Sequence, residues 1–207
     1  NYGKDNHGIL NADYTMEDVI QNSSLCLYNG LHKSTFESSF KEEAKVAPFE
    51  VHHNRYHFLK FQTHKAWKAI EAAGLKTDAS LGFAEHIGFR NSYGLPFTPF
   101  DMENDRPYGF VEIPLNVMDG TITQYMGIRQ EDALNCIQNF IDDQSVPVLI
   151  SILWHNNELT DYFYRGMNRV YWQIVEVIKK RGGRLIMPDE IFNQYKMDFK
   201  KESNLSG

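Results

Sequence analysis

At 207 residues the chain is long enough for one substantial domain with a buried core. A formal net charge of −6, with the basic residues scattered, argues against a nucleic-acid or anionic-membrane surface. No run approaches the roughly 18 apolar residues of a membrane span, and no signal-peptide pattern opens the sequence. The two cysteines, Cys26 and Cys136, lie far apart in apolar contexts, which suits buried free thiols in a reducing, cytoplasmic setting.

In chain order, residues 13–22 read as a short helix with Thr15 at its N-cap, and 25–31 as a strand ending at His32. The segment 51–61 alternates, so Arg55, His57 and Leu59 are expected on one side and Tyr56, Phe58 and Lys60 on the other. Residues 63–73 predict a helix capped by Thr63 and stopped by Gly74, with Ala66, Trp67, Ile70 and Ala73 on one face. A short strand over 75–80 carries Asp78, and a strand over 110–113 carries Glu112 and is closed by Pro114. Between them, 83–110 is an irregular insert rich in Gly, Pro and aromatic residues.

The second half is more regular. Residues 129–142 predict a helix with Ala133, Leu134, Ile137, Phe140 and Ile141 inward. A Pro-bounded apolar run then predicts a fully buried strand over 148–153, ending in Trp154, His155, Asn156 and Asn157. Residues 168–181 form the strongest amphipathic helix, ended by Gly182 and Gly183. A last strand is expected over 184–187, then a helix opened by Pro188, Asp189 and Glu190; the tail 200–207 is polar and expected to fray. Strand–helix alternation at this spacing implies an α/β domain spanning 1–207, with a parallel sheet, helices outside it and a core over 25–187. Periodicity leaves an open sheet and a closed barrel as alternatives.

Polar residues fall on the predicted strand ends: His32, Asp78, Glu112 and His155. Buried parallel strands that finish in titratable side chains are where α/β enzymes place their chemistry. Imidazoles suit Zn, Fe, Ni or Co, and carboxylates can complete such a site. Taken singly, His7, His52, His64 and His86 read as structural or exposed. No phosphate-cradling loop, dinucleotide fingerprint or nucleophile elbow is present. Trp67 and Trp172 sit at helical core spacing and read as packing. Tyr93, Phe97, Phe100, Tyr108, Tyr162, Phe163 and Tyr164 lie in loops, where they could stack on sugar rings or close the insert hydrophobically.

The order of several segments resembles the polysaccharide deacetylases, the NodB-homology group of carbohydrate esterases, in the divergent branch found with bacterial surface-polysaccharide genes. The segments are Gly30-Leu31-His32-Lys33-Ser34, then Arg55 through Phe61, then Leu81-Gly82-Phe83-Ala84-Glu85 with Gly88-Phe89-Arg90. Glu112-Ile113-Pro114 follows, leading to Met118-Asp119-Gly120-Thr121, and Leu153-Trp154-His155-Asn156-Asn157 comes last. The resemblance implies a distorted (β/α) barrel and metal-dependent removal of acetyl groups from N-acetylated sugars.

Carried over by position, His32 matches the first metal histidine, Arg55 the arginine that orients the basic carboxylate, and His155 the late histidine that protonates the leaving amine. His57 stands where the family has a proline, as a substitute metal ligand or a substrate contact. Asp78, Arg90, Glu112, Trp154 and Asn156 are expected around substrate or behind these groups. The implied cofactor is a divalent metal such as zinc, and the implied partner is an acylated carbohydrate.

Two departures stand out. Phe36 occupies the position of the family's second metal histidine, and no paired aspartates occur near the start; Asp142 and Asp143 are out of order. The expectation is therefore a barrel incomplete at its N-terminus, pairing with a missing segment or a neighbouring copy. The rival reading is a non-catalytic glycan-binding or scaffold domain, and a third is another metal-dependent hydrolase on the same barrel.

Overall fold

The computed structural model describes residues 29–34, 39–45, 47, 49–159 and 165–196. The chain divides into two compact units: one comprises 1–80, 96–112 and 187–207, the other 81–95 and 113–186. The predicted elements at 13–22 and 25–28, together with Thr15, Cys26, Phe36, the aromatics at 162–164 and the tail, lie outside the described residues.

The first unit holds a four-stranded parallel sheet in the order β1-β2-β3-β6, formed by β1 (Leu31–Lys33), β2 (His53–Tyr56), β3 (Thr77–Asp78) and β6 (Val111–Glu112). Its register aligns Leu31 with Asn54, Asn54 with Asp78, and Asp78 with Glu112, while His32 lies beside Arg55. Helix α1 (Phe40–Ala44) follows β1 and opens on a capping box: Ser39 accepts from the Glu42 amide, and Glu42 accepts from the Ser39 amide. Helix α2 (Thr63–Ala72) follows β2 and buries Ala66 and Ile70 among Leu31, Phe40, Leu75, Tyr108 and Phe110. Ile70 is fully buried, which stabilises the unit by about 1.5–3 kcal/mol relative to leaving it exposed.

Within 83–110, β4 (Phe100–Asp101) and β5 (Arg106–Pro107) form an antiparallel hairpin. Asp101 holds its turn by accepting from the amides of Glu103 and Asn104. Helix α5 (Pro188–Tyr195) is tied to the same unit by an Asp189–Lys76 ion pair of 2.8 Å and by Thr98 donating to the Tyr195 carbonyl.

The second unit pairs β7 (Val117–Met118) in parallel with β8 (Ile152–Leu153). Helices α3 (Gln130–Asp142) and α4 (Met167–Lys180) pack through Ala133, Ile137, Val170 and Ile174, all essentially inaccessible. Gly82 belongs to this unit. A Cβ there would lie 2.8 Å from both the Cβ and the carbonyl oxygen of Leu115, so the close approach requires the missing side chain.

Mixed α/β organisation with a parallel sheet matches the sequence reading, with several corrections. Only Ile152 and Leu153 of the 148–153 run are strand, and both are half-buried; Val146 is exposed. That stretch is bonded through loop contacts such as the Leu149 amide to the Gly94 carbonyl, which do not build a ladder. No strand forms at 184–187, where Leu185 is 79% exposed, because a short apolar run becomes a strand only with a neighbour to pair. Thr63 is the first helical residue; Gln62 occupies the N-cap and makes no side-chain cap bond. Trp172 is exposed instead of packed. The alternation over 51–61 breaks after Tyr56, where His57–Leu59 close into a 3-10 turn with positive φ at Phe58 and Leu59. No helix among the described residues is long and apolar enough to cross a membrane.

Candidate functional site

In the first unit the sheet register brings His32 beside Arg55, and the turn after β2 adds His57. The His32 and His57 rings lie 4.9 Å apart, centre to centre. His32 Nδ1 is 3.0 Å from the Arg55 carbonyl oxygen. A carbonyl can only accept, so Nδ1 carries the proton and Nε2 is the basic nitrogen. Burial, then the neighbouring His57, pushes the His32 pKa down to about 4, so the ring is neutral at pH 7. A neutral imidazole oriented through Nδ1–H to a carbonyl is the arrangement that metal-ligating histidines adopt.

These two imidazoles suit a divalent metal's donor preference. Among the described residues, however, no group of three or more His, Cys, Asp or Glu side chains is placed to hold one. The described residues therefore supply two imidazoles and not a complete metal site.

Asp78 and Glu112 are fully buried neighbours on β3 and β6. Asp78 accepts from Asn54 Nδ2 at 2.6 Å and from Ser80 Oγ at 2.9 Å, and Glu112 accepts from Trp67 Nε1 on α2 at 3.3 Å. The carboxylates thus lie on the helix-covered face with Asn54, whereas Arg55, the next residue of β2, alternates to the other face. Burial raises the Asp78 pKa against the lowering effect of those hydrogen bonds, and burial lowers that of Arg55 to about 10, opposed by Asp78 and Glu112. Arg55 is fixed by Nε donating to the Ala79 carbonyl. No imidazole is among the hydrogen-bond partners of Asp78; its neighbours are Asn54, Ser80 and Glu112. A cavity of about 900 Å³ opens on the α2 side of this unit beside Lys33, Tyr56, Lys60 and Phe61, and neither His32 nor His57 lines it.

The second unit builds a different group. Asp119 follows β7 and His155 follows β8, so parallel pairing of the strands brings the two side chains together across 36 residues of sequence. Asp119 is fully buried and accepts from His155 Nδ1 at 2.7 Å and from the His155 amide at 2.5 Å. The same carboxylate accepts from the Gly120 amide. His155 is 45% exposed at its side chain. A buried carboxylate on Nδ1 fixes the ring's orientation and stabilises its protonated form, the requirement for a general acid.

Glu158 lies one turn on, in the 3-10 segment Asn156–Leu159, with its amide donating to the His155 carbonyl. It is buried, its Oε2 has no hydrogen-bond partner among the described residues, and burial together with the Asp119 charge raises its pKa to about 7.

Of the other predicted residues, Arg90 donates to the Gly82 carbonyl and Asn156 is exposed. Trp154 packs beside Tyr171, ring centres 5.6 Å apart, with its Nε1 buried and without a hydrogen-bond partner among the described residues. Sequence reasoning missed Asp119 and Glu158 as site residues. Asp119 carried a signal, an acid directly after the apolar pair Val117-Met118, of the same kind that singled out His155.

No family model matches the chain, and no curated protein matches it. Among solved structures, the chain is similar to a candidate polysaccharide deacetylase involved in O-antigen biosynthesis from Bordetella bronchiseptica. That similarity has a TM-score of 0.34 and 15% identity over 80% of this chain and 62% of the other. The chain thus spans less than two thirds of that structure, and a TM-score of this size assigns neither fold nor function.

Proposed function

We propose that this chain is a carbohydrate deacylase domain of the polysaccharide-deacetylase type, a distorted barrel that removes acetyl groups from an amino-sugar polysaccharide or its cytoplasmic precursor. The observation that carries the reading is the Asp119–His155 pair: a fully buried carboxylate grips a half-exposed imidazole through both its ring and its backbone. Amide hydrolysis needs a proton delivered to the leaving nitrogen, and an imidazole oriented by a buried carboxylate is placed to deliver it. His155 is assigned as that acid and Asp119 as the residue that positions it.

His32 and His57 would hold a divalent metal, zinc in the simplest case, which supplies polarisation of the acyl carbonyl and a water of lowered pKa. Arg55, held to the Ala79 carbonyl, is assigned by the resemblance to orienting a basic carboxylate of the site. The resemblance of the segments around His32, Arg55 and His155 to the deacetylases supports the assignment.

The test is acetate release from a β-1,4-linked N-acetylglucosamine tetramer. Replacing His155 by Gln is expected to lower kcat by about 10²–10⁴, the usual contribution of a proton-transfer group, while the fold is retained. Release by the variant at the wild-type rate would reject the role. Saturable sugar binding without any release would leave a glycan-binding domain in its place.

A further inference from the structure

The cavity beside helix α2 belongs to neither group of site residues, and its walls set it apart. Its floor is apolar: Tyr56 stacks on Phe61, ring centres 5.3 Å apart at 15°, and meets Phe40 edge-on at 5.7 Å. One wall is the outer side of α2, where Ala69 and Ala72 are exposed. Exposed helix positions ordinarily carry polar side chains, and alanine there leaves the groove open and its apolar wall uncovered. The volume of about 900 Å³ lies within the range of ligand sites, about 300–1,000 Å³.

The charge around this cavity is one-sided. Lys41, Lys60 and Lys65 line it, and none of the three side chains makes an ion pair or hydrogen bond among the described residues. Elsewhere cations are matched with acids, as in Lys68–Glu103, Lys76–Asp189 and Arg106–Glu71. Lys33 also lines the cavity and is held by Glu43 at 2.6 Å, but no Asp or Glu is among the described lining residues. Three unmatched cations on one apolar cavity, in a chain of net charge −6, call for an anionic occupant.

Topology places the cations at one end. Strands β2 and β3 are parallel, so α2 runs back along the sheet and starts at the C-terminal end of β2. Lys60 and Lys65 flank that start, and Lys41, the second residue of α1, follows the C-terminal end of β1. Tyr56 ends β2, and its hydroxyl, which makes no hydrogen bond among the described residues, adds a donor near the same end. The exposed alanines lie further along α2, with Ala72 about 10 Å beyond Lys65 at about 1.5 Å per residue. A ligand that fits has a negative head and a slim apolar tail of about that length.

We propose that this cavity binds a medium-chain fatty acid, its carboxylate among Lys41, Lys60 and Lys65 and its alkyl chain along the alanine side of α2. None of these residues is assigned a part in deacylation, so the inference stands apart from that reading. The probe is decanoate, titrated calorimetrically into the full chain below its micelle concentration, with decanol as the uncharged control. Wild type is expected to bind about one equivalent of decanoate, and decanol at least about tenfold more weakly. Lys60→Glu combined with Lys65→Glu is expected to weaken decanoate at least about tenfold and to leave decanol within about twofold. In Ala69→Cys, alkylation of the new thiol is followed by mass spectrometry of its peptide; it is expected to be fast in the free protein and slowed at least about fivefold by saturating decanoate.

No binding of decanoate to wild type, equal affinity for decanoate and decanol, or an affinity unmoved by the double charge reversal would each overturn the proposal. So would an Ala69→Cys thiol that is already shielded without ligand. Shielding independent of protein concentration would assign the groove to another segment of this chain, and shielding that grows with concentration would assign it to a second copy.

Discussion

Exchanging Asp119 for Asn removes one charge and almost no volume at the centre of the second unit. The carboxylate accepts three N–H groups, from the Gly120 amide, the His155 amide and His155 Nδ1. A charge-assisted hydrogen bond contributes about 1.5–3 kcal/mol. His155 is 45% exposed, and solvent screening holds the share of its ring toward the lower end of that range. The sign follows from charge: an anion favours imidazolium, so its removal disfavours the protonated ring. Wherever the Asn amide nitrogen points among these three donors, it meets another donor, and the mismatch costs about 1–3 kcal/mol of stability. The assay is a pH titration of the His155 ring protons by NMR, with thermal unfolding followed in parallel. A His155 titration indistinguishable from wild type in Asp119→Asn would refute the argument that the buried carboxylate tunes this imidazole.

Two further outcomes follow from burial and packing. Glu158 has a folded-state pKa of about 7 against an ordinary 4.5, so between those values the folded state holds a proton that the unfolded state has released, and stability falls as pH rises through the window. Glu158→Gln should remove that decline and gain up to about 3 kcal/mol at pH 8 but little at pH 4, read by denaturant unfolding at both; equal gains at the two pH values would contradict it. Gly82→Ala drives a methyl group against Leu115 and should cost about 1–3 kcal/mol in thermal or denaturant unfolding, whereas an unchanged midpoint would show that the contact relaxes freely.

How much of this was legible in sequence depends on whether the signal was local. Helix α4 was readable nearly to its ends because Val170, Ile174 and Ile178 recur at helical spacing and Gly182 stops the pattern with φ 79°. Strand β3 and the burial of Asp78 were half legible: the strand was expected, but not the hydrogen bonds from Asn54 and Ser80 that engage the carboxylate on the helix-covered face. His155 stood out as the end of an apolar run. Asp119 also follows an apolar pair, but its partnership with His155 depends on the register between β7 and β8, which no local pattern encodes. The turn at His57–Leu59 was invisible for a different reason. Positive φ is ordinarily announced by glycine or asparagine, and here Phe and Leu adopt it unannounced.

The most direct test of the account is metal content and acetate release measured on the same sample, for wild type and His32→Ala. The account predicts about one equivalent of divalent metal in wild type, with acetate released from the N-acetylglucosamine tetramer, and loss of both in the variant. Acetate release that persists with the metal removed, or wild type that takes up no metal even when zinc is supplied, would contradict it.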